Sequence, residues 1–208
     1  MATEKAGVRR APPERPPHEQ KDERTGDTME GRHILICGKR NSGKTELFER
    51  LLAACRMPVY GFSTAIRNTR PDGYHEIYMF PAGRTDGPCT ELNHIGDCNM
   101  QERTVHLEVF DTLGLRLLEA KTDGIVAMDE LGFMESKAPA FCDRVLELLD
   151  GEIPVLATVK AGGPEMGFLD RVHRHPNTRL VQVTGGNADA LYEELLPVIE
   201  EWNVRLGC

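Results

Sequence analysis

Residues 38–45 read GKRNSGKT and fit the pattern G-x-x-x-x-G-K-[ST]. A short apolar run, residues 34–37, precedes them, and the helix-compatible ELFERLLAAC, residues 46–55, follows. Strand, loop, helix is the context that a phosphate-binding loop requires. Backbone N–H groups must turn inward around phosphate oxygens, which Gly38 and Gly43 permit, with Lys39, Arg40, Asn41 and Ser42 forming the turn between them. Lys44 supplies a mobile cation, Thr45 a hydroxyl suited to magnesium, and the start of the following helix a positive field. The chain is therefore expected to bind a nucleoside triphosphate.

At 208 residues with 40% hydrophobic content, the chain has room for one α/β domain with a substantial core. Residues 9–28 differ from the rest, carrying four prolines, charges of both signs and almost nothing apolar. The expected organisation is a disordered, Pro-rich charged tail over 1–31 and a P-loop NTPase domain over 32–208. The tail has no apolar stretch of signal-peptide type and contains acids, so neither a secretory signal nor a transit peptide is indicated. No apolar run reaches the length of a membrane span. A net charge of −8, with basic residues dispersed among acids, argues against a dedicated nucleic-acid binder. The six cysteines lack a dense repeating pattern and fit a reducing cytoplasm. Cys89, His94 and Cys98 have zinc-compatible chemistry, but C-x4-H-x3-C is a weak spacing without an obvious fourth ligand.

Further elements alternate along the chain. Residues 58–67 and 74–80 flank Arg70-Pro71-Asp72-Gly73, a type I turn signal, and predict a β-hairpin. Residues 81–101 are polar and rich in turn formers, and are expected to be a long loop over the site. Strands are expected at 104–109, 124–128, 153–159 and 178–183, and helices at 110–120, 138–150, 168–174 and 188–204. Continuous apolar strands separated by helices make a doubly wound, mainly parallel sheet with helices on both faces and ligands at the carboxyl ends of the strands.

Asp129 and Glu130 end the apolar run GIVAM. In a parallel sheet they share an edge with the phosphate loop, where Asp129 is placed to partner magnesium and Glu130 to orient or deprotonate an attacking water. DELGFME, residues 129–135, after an apolar strand closely resembles the signature of the thermostable nucleoside-triphosphatase family, which includes the cancer-related nucleoside triphosphatase. The resemblance runs from about Arg32 to Asn203 and takes in GFSTAIR at 61–67, PVLATVK at 154–160 and the stretch from Phe168 onward. It implies a single P-loop domain and magnesium-dependent hydrolysis of ATP, GTP and other triphosphates with loose base selectivity. It also implies that Gly38, Gly43, Lys44 and Thr45 hold phosphate and metal, that Asp129 partners the metal and that Glu130 activates water. Arg67 matches a family arginine after the second strand. The chain departs from the family's Glu-Asn-Arg-Asp, having Gly186-Asn187-Ala188-Asp189, so a nucleotide contact made there by arginine is missing. A guanine-reading Asn/Thr-Lys-x-Asp loop is absent as well, since Ala120-Lys121-Thr122-Asp123 lacks its first residue. Two other functions share this loop: a kinase for nucleotides or small molecules, and a nucleotide-dependent switch with slow hydrolysis.

Overall fold

The computed structural model describes residues 32–161 and 167–207, so the expectation for residues 1–31 falls outside the described residues. Its frame is an eight-stranded sheet of order β5-β4-β3-β2-β6-β7-β1-β8. β1 (His33–Gly38), β2 (Val59–Thr69), β6 (Ile125–Leu131), β7 (Val155–Lys160) and β8 (Thr178–Val183) run parallel. β3 (His75–Pro81), β4 (His94–Cys98) and β5 (Arg103–Val105) extend it as an antiparallel meander from β2.

Every residue of β1 is buried, as a strand covered on both faces must be. Its alternation sorts the core in two. Leu35 points to the face that holds Phe62, Met128, Phe141 and Leu149, whereas Ile34 and Ile36 point to the face of Phe48, Leu51, Ile199 and Trp202. The first face is covered by α2 (Pro139–Asp150), α3 (Gly167–His173) and a helical segment in three pieces, Leu107–Val109, Phe110–Gly114 and Leu115–Leu117, of which the middle one is π. The second is covered by α1 (Lys44–Ala54) and α4 (Ala188–Arg205). Helices on both faces of a mainly parallel sheet is the arrangement that the sequence pattern implies.

Two local solutions fix the sheet. Gly73 donates to the Arg70 carbonyl at 2.9 Å and takes a φ of +83°, closing the predicted hairpin between β2 and β3. His33 is fully buried at the start of β1, its Nδ1 accepting from Val155 N–H at 3.1 Å and its Nε2 facing the Leu149 carbonyl at 3.0 Å. A neutral ring with its proton on Nε2 satisfies both contacts, and burial lowers its pKa to about 4.

Two expectations need correction. Residues 81–101 are not one loop, because His94–Cys98 pairs with both β3 and β5. That strand contains Gly96 at φ +145°, where a Cβ would lie 2.0 Å from the Thr104 carbonyl, so close backbone approach decides its conformation. The strand expected over 104–109 shrinks to Arg103–Val105, since the chain turns helical from Leu107. Among the described residues no helix is long and apolar enough to cross a membrane.

Candidate functional site

β1 delivers the chain to the phosphate loop at its carboxyl end. A Cβ on Gly38 would stand 2.5 Å from the Val183 carbonyl and 2.6 Å from Ser42 Oγ, so no larger residue fits there. Asn41 (φ +60°) and Gly43 (φ +96°) both take left-handed backbone, which curls the loop into a concavity. Gly43 caps α1 without any side-chain hydrogen bond to the helix start, leaving first-turn N–H groups for an anion. Ser42 Oγ is buried without a hydrogen-bond partner among the described residues, a group that a phosphate oxygen would satisfy. Lys39, Arg40 and Asn41 are exposed around the rim.

Lys44 Nζ folds back over the loop, donating to the carbonyls of Gly38 and Lys39 at 3.0 and 3.1 Å, and lies 3.9 Å from Glu130 Oε2. Thr45, Asp129 and Glu130 line one cavity of about 530 Å³. The sheet therefore brings together the residues that the sequence singles out: β6, two places from β1, sets its carboxylates beside the loop.

Asp129 lies between Thr158, whose hydroxyl donates to Oδ1, and Thr64, whose Oγ1 donates to the Asp129 carbonyl at 3.2 Å. Glu130 N–H in turn donates to Thr64 Oγ1 at 3.3 Å, so Thr64 joins the two acidic residues through their backbone. The Asp129–Glu130 peptide is cis. Burial pushes the Asp129 pKa up, against the opposing effect of the Thr158 hydroxyl. Among the described residues there is no group of three or more His, Cys, Asp or Glu side chains set to hold a metal ion. A hydroxyl and a carboxylate, Thr45 and Asp129, are hard oxygen donors of the number that magnesium uses when water and phosphate complete its shell.

Three residues at the site lie within the stretches that carry the family resemblance but receive no role from the sequence. Lys160 ends β7 with Nζ 3.9 Å from Glu130 Oε1, opposite Lys44, and its place at the carboxyl end of a central strand is the sequence signal that could have singled it out. Glu135 is buried, accepts from Gly132 N–H at 2.8 Å, and has its pKa raised to about 7 by burial. Phe133 lines the same cavity, with the Arg103 guanidinium 4.9 Å and Lys160 Nζ 5.4 Å from its ring centroid.

Other expectations land elsewhere. Arg67 lies over the Phe80 ring at 5.4 Å, outside the lining of the main cavity. The first part of the 81–93 stretch packs on α1, where Gly83 meets Leu52 and donates to Ser63 Oγ at 3.1 Å. With Thr85 it borders a second cavity, about 310 Å³, that reaches Asp129 from the other side. His94 stacks on Tyr78 at 4.7 Å, and Cys89 is exposed.

With that geometry in place, a family model described as NTPase matches residues 33–196. The chain belongs to this nucleoside-triphosphatase family. It is 34% identical over 173 residues to nucleoside-triphosphatase THEP1 of Thermofilum pendens, covering 80% of this chain and 94% of that one. It is 28% identical to the protein of the same name from Natranaerobius thermophilus, over 81% of this chain and 97% of that one. The fold matches the crystal structure of THEP1 from Aquifex aeolicus, with a TM-score of 0.62 at 22% identity, covering 81% of this chain and 99% of that one. It also matches the solution structure of a human cancer-related nucleoside triphosphatase, with a TM-score of 0.57 at 20% identity, over 82% and 98%. Membership of the nucleoside-triphosphatase family agrees with the loop, the acidic strand end and their shared cavity.

In this family member, the stretch beside the loop on the α4 side carries no arginine. A Cβ on Gly43 would lie 3.8 Å from that of Ala188. Asn187 spends its side chain locally, accepting from Thr184 N–H at 2.8 Å and donating to the Gln182 carbonyl at 3.0 Å. Asp189 pairs with Arg50 at 2.6 Å.

Proposed function

We propose that the chain is a magnesium-dependent nucleoside-triphosphate phosphohydrolase, releasing the terminal phosphate of ATP, GTP and other triphosphates with weak selectivity for the base. The observation that carries this reading is the convergence of Thr45, Asp129 and Glu130 on one cavity, with Glu130 held between the Lys44 and Lys160 ammonium groups at 3.9 Å each. Residues 38–45 wrap the phosphates through backbone N–H groups, and Lys44 exchanges its contacts with loop carbonyls for phosphate oxygens. Thr45 and Asp129 would hold magnesium, which when bound neutralises charge on the terminal phosphates. Glu130 takes a proton from the attacking water as its oxygen bonds to the γ-phosphorus and the bond to the β,γ-bridging oxygen breaks. Lys44 and Lys160 fix the direction of that carboxylate and face the charge that spreads over the equatorial oxygens.

Weak base selectivity is supported by Asn187, whose amide is already occupied with backbone groups and so has little capacity to read a base edge. The test is phosphate release from ATP, GTP, CTP and UTP, each with magnesium and with excess chelator. Comparable rates on all four, abolished by chelator, are expected. Activity that survives chelation, or a preference above about a hundredfold for one base, would sink the corresponding part of the reading.

A further inference from the structure

Burying a carboxyl group costs free energy that an apolar neighbour would not incur, and more when the group is charged. Glu135 is 3% exposed, yet it borders the cavity that holds Glu130. It opens the short 3₁₀ turn Glu135–Lys137, and its Oε2 accepts from Gly132 N–H at 2.8 Å. Closing that turn does not require a charge. Ser136 Oγ donates to the Gly132 carbonyl at 3.1 Å, and the Glu135 carbonyl accepts from Ala138 N–H at 2.9 Å and from Cys142 Sγ at 3.1 Å. A glutamine would serve Gly132 equally well, so an ionisable group here has its reason in the site. A Cβ on Gly132 would stand 3.3 Å from Glu135 Oε2 and 3.9 Å from Lys160 Nζ, so the buried carboxyl and the ammonium reach the same glycine. Lys160 is half-exposed and lies 3.9 Å from Glu130 Oε1. One mobile ammonium therefore stands within reach of two carboxyl groups. Burial raises the Glu135 pKa to about 7, with Lys160 favouring its charged form and Glu130 its neutral one. Of the other groups around it, Lys137 lies on its own turn, Cys142 and Asp143 on α2, and Arg171 on α3. The Cys142 thiol, pushed up to about 12 by burial, stays neutral where Glu135 titrates.

We propose that Glu135 is a positioning residue for the hydrolytic reaction, acting through Lys160: as the neutral acid it leaves the ammonium to Glu130, and as the carboxylate it draws the ammonium across Gly132. The inference rests on the reading of Glu130 as base. Once Lys44 has turned to the phosphates, Lys160 is the cation that remains on the Glu130 carboxylate. Losing it releases that carboxylate from its aim at the attacking water, and misplaced catalytic groups forfeit rate. The protonated form of Glu135 is therefore the active one, and loss of its proton lowers kcat/KM.

The experiment measures kcat/KM for ATP with saturating magnesium from about pH 6 to about pH 9 in the full chain, Glu135→Gln, Lys160→Met and the double variant. Release of γ-labelled phosphate in single turnovers serves where rates are low, and the Trp202 unfolding transition checks folding. Wild-type kcat/KM should fall as pH rises through about 7, whereas Glu135→Gln, which cannot ionise, should keep about fivefold more of its rate at about pH 8.5 than wild type does. Ionisation of the nucleotide affects both proteins alike and cancels in that ratio. In the Lys160→Met background the same substitution should move the profile less than about twofold. An unaltered profile in Glu135→Gln, or a wild-type profile flat across the range, overturns the role of Glu135 while leaving the hydrolase reading intact. An equal shift with and without Lys160 overturns the route through the ammonium. No phosphate release from wild type at any pH overturns the hydrolase reading and this inference with it.

Discussion

Glu130 has a lysine ammonium 3.9 Å from each of its carboxylate oxygens, so its replacement separates chemistry from binding. Glu130→Gln keeps the shape but cannot take a proton. We expect kcat to fall about 100-fold or more, with nucleotide affinity within a few-fold of wild type, in paired titration and steady-state measurements. A loss under threefold with affinity intact would show that water is activated elsewhere. Lys44→Ala removes the cation that reaches over the loop, and both binding and turnover should collapse, which equilibrium titration with a fluorescent triphosphate detects. Glu135 is predicted to leave a signature in stability. Its pKa is about 7 in the fold against an ordinary 4.5, set by burial and faced by Lys160 and Glu130. Between those values the folded chain keeps a proton that the unfolded chain releases, so this group's contribution falls as pH rises through the window. Glu135→Gln still accepts from Gly132 N–H but carries no charge. Relative to wild type the variant should gain up to about 3 kcal/mol between pH 4.5 and 7.5. Urea titrations followed by Trp202, the only tryptophan and 1% exposed, measure the difference, and a pH-independent gap would refute the assignment.

At the scale of elements, β2 and β6 approach each other as closely at Gly61 as β4 and β5 do at Gly96. Gly61 has φ +105° there, and a Cβ would stand 2.0 Å from the Ala127 carbonyl. Gly61→Ala must push two central strands apart, so we expect a loss of about 3 kcal/mol or more, seen as a lowered unfolding midpoint or insoluble protein. Gly73, in the β2–β3 turn, has φ +83° but nothing within 4 Å of the place an alanine methyl would take. Gly73→Ala therefore carries only the conformational cost, about 1 kcal/mol. Equal losses in the two variants would show that backbone conformation rather than strand contact governs Gly61. The Thr64 bonds to the Asp129 carbonyl and the Glu130 N–H add a functional reason for keeping these strands in register, because they tie the acidic pair to β2.

At the scale of the whole molecule, both cores and every residue of the proposed site lie within residues 32–207. Deleting residues 1–31, whose sequence is charged and proline-rich, should leave the Trp202 unfolding transition and triphosphate hydrolysis unchanged within error, and lost activity on truncation would assign the segment a role in the site. By itself the sequence determined the local elements that carry the site. The strand, glycine-bearing loop and helix around residues 38–45, the hairpin across residues 70–73 and the apolar strand ending in Asp129 and Glu130 are all recorded in short-range patterns of residue size, φ preference and hydrophobic period. Only the tertiary structure decided that β7 lies between β1 and β6, and hence that Lys160 and Thr158 flank the acidic pair. Buried parallel strands read as similar apolar runs, so none records which neighbour it will have; the packing of the crossover helices chooses. The same holds for His94–Cys98, a polar segment made a strand by its partners on both sides, and for the cavity that residues of β3, β4 and β6 line together. Its lining residues come from segments far apart in the chain, and proximity between them is a property of the sheet rather than of any one stretch of sequence.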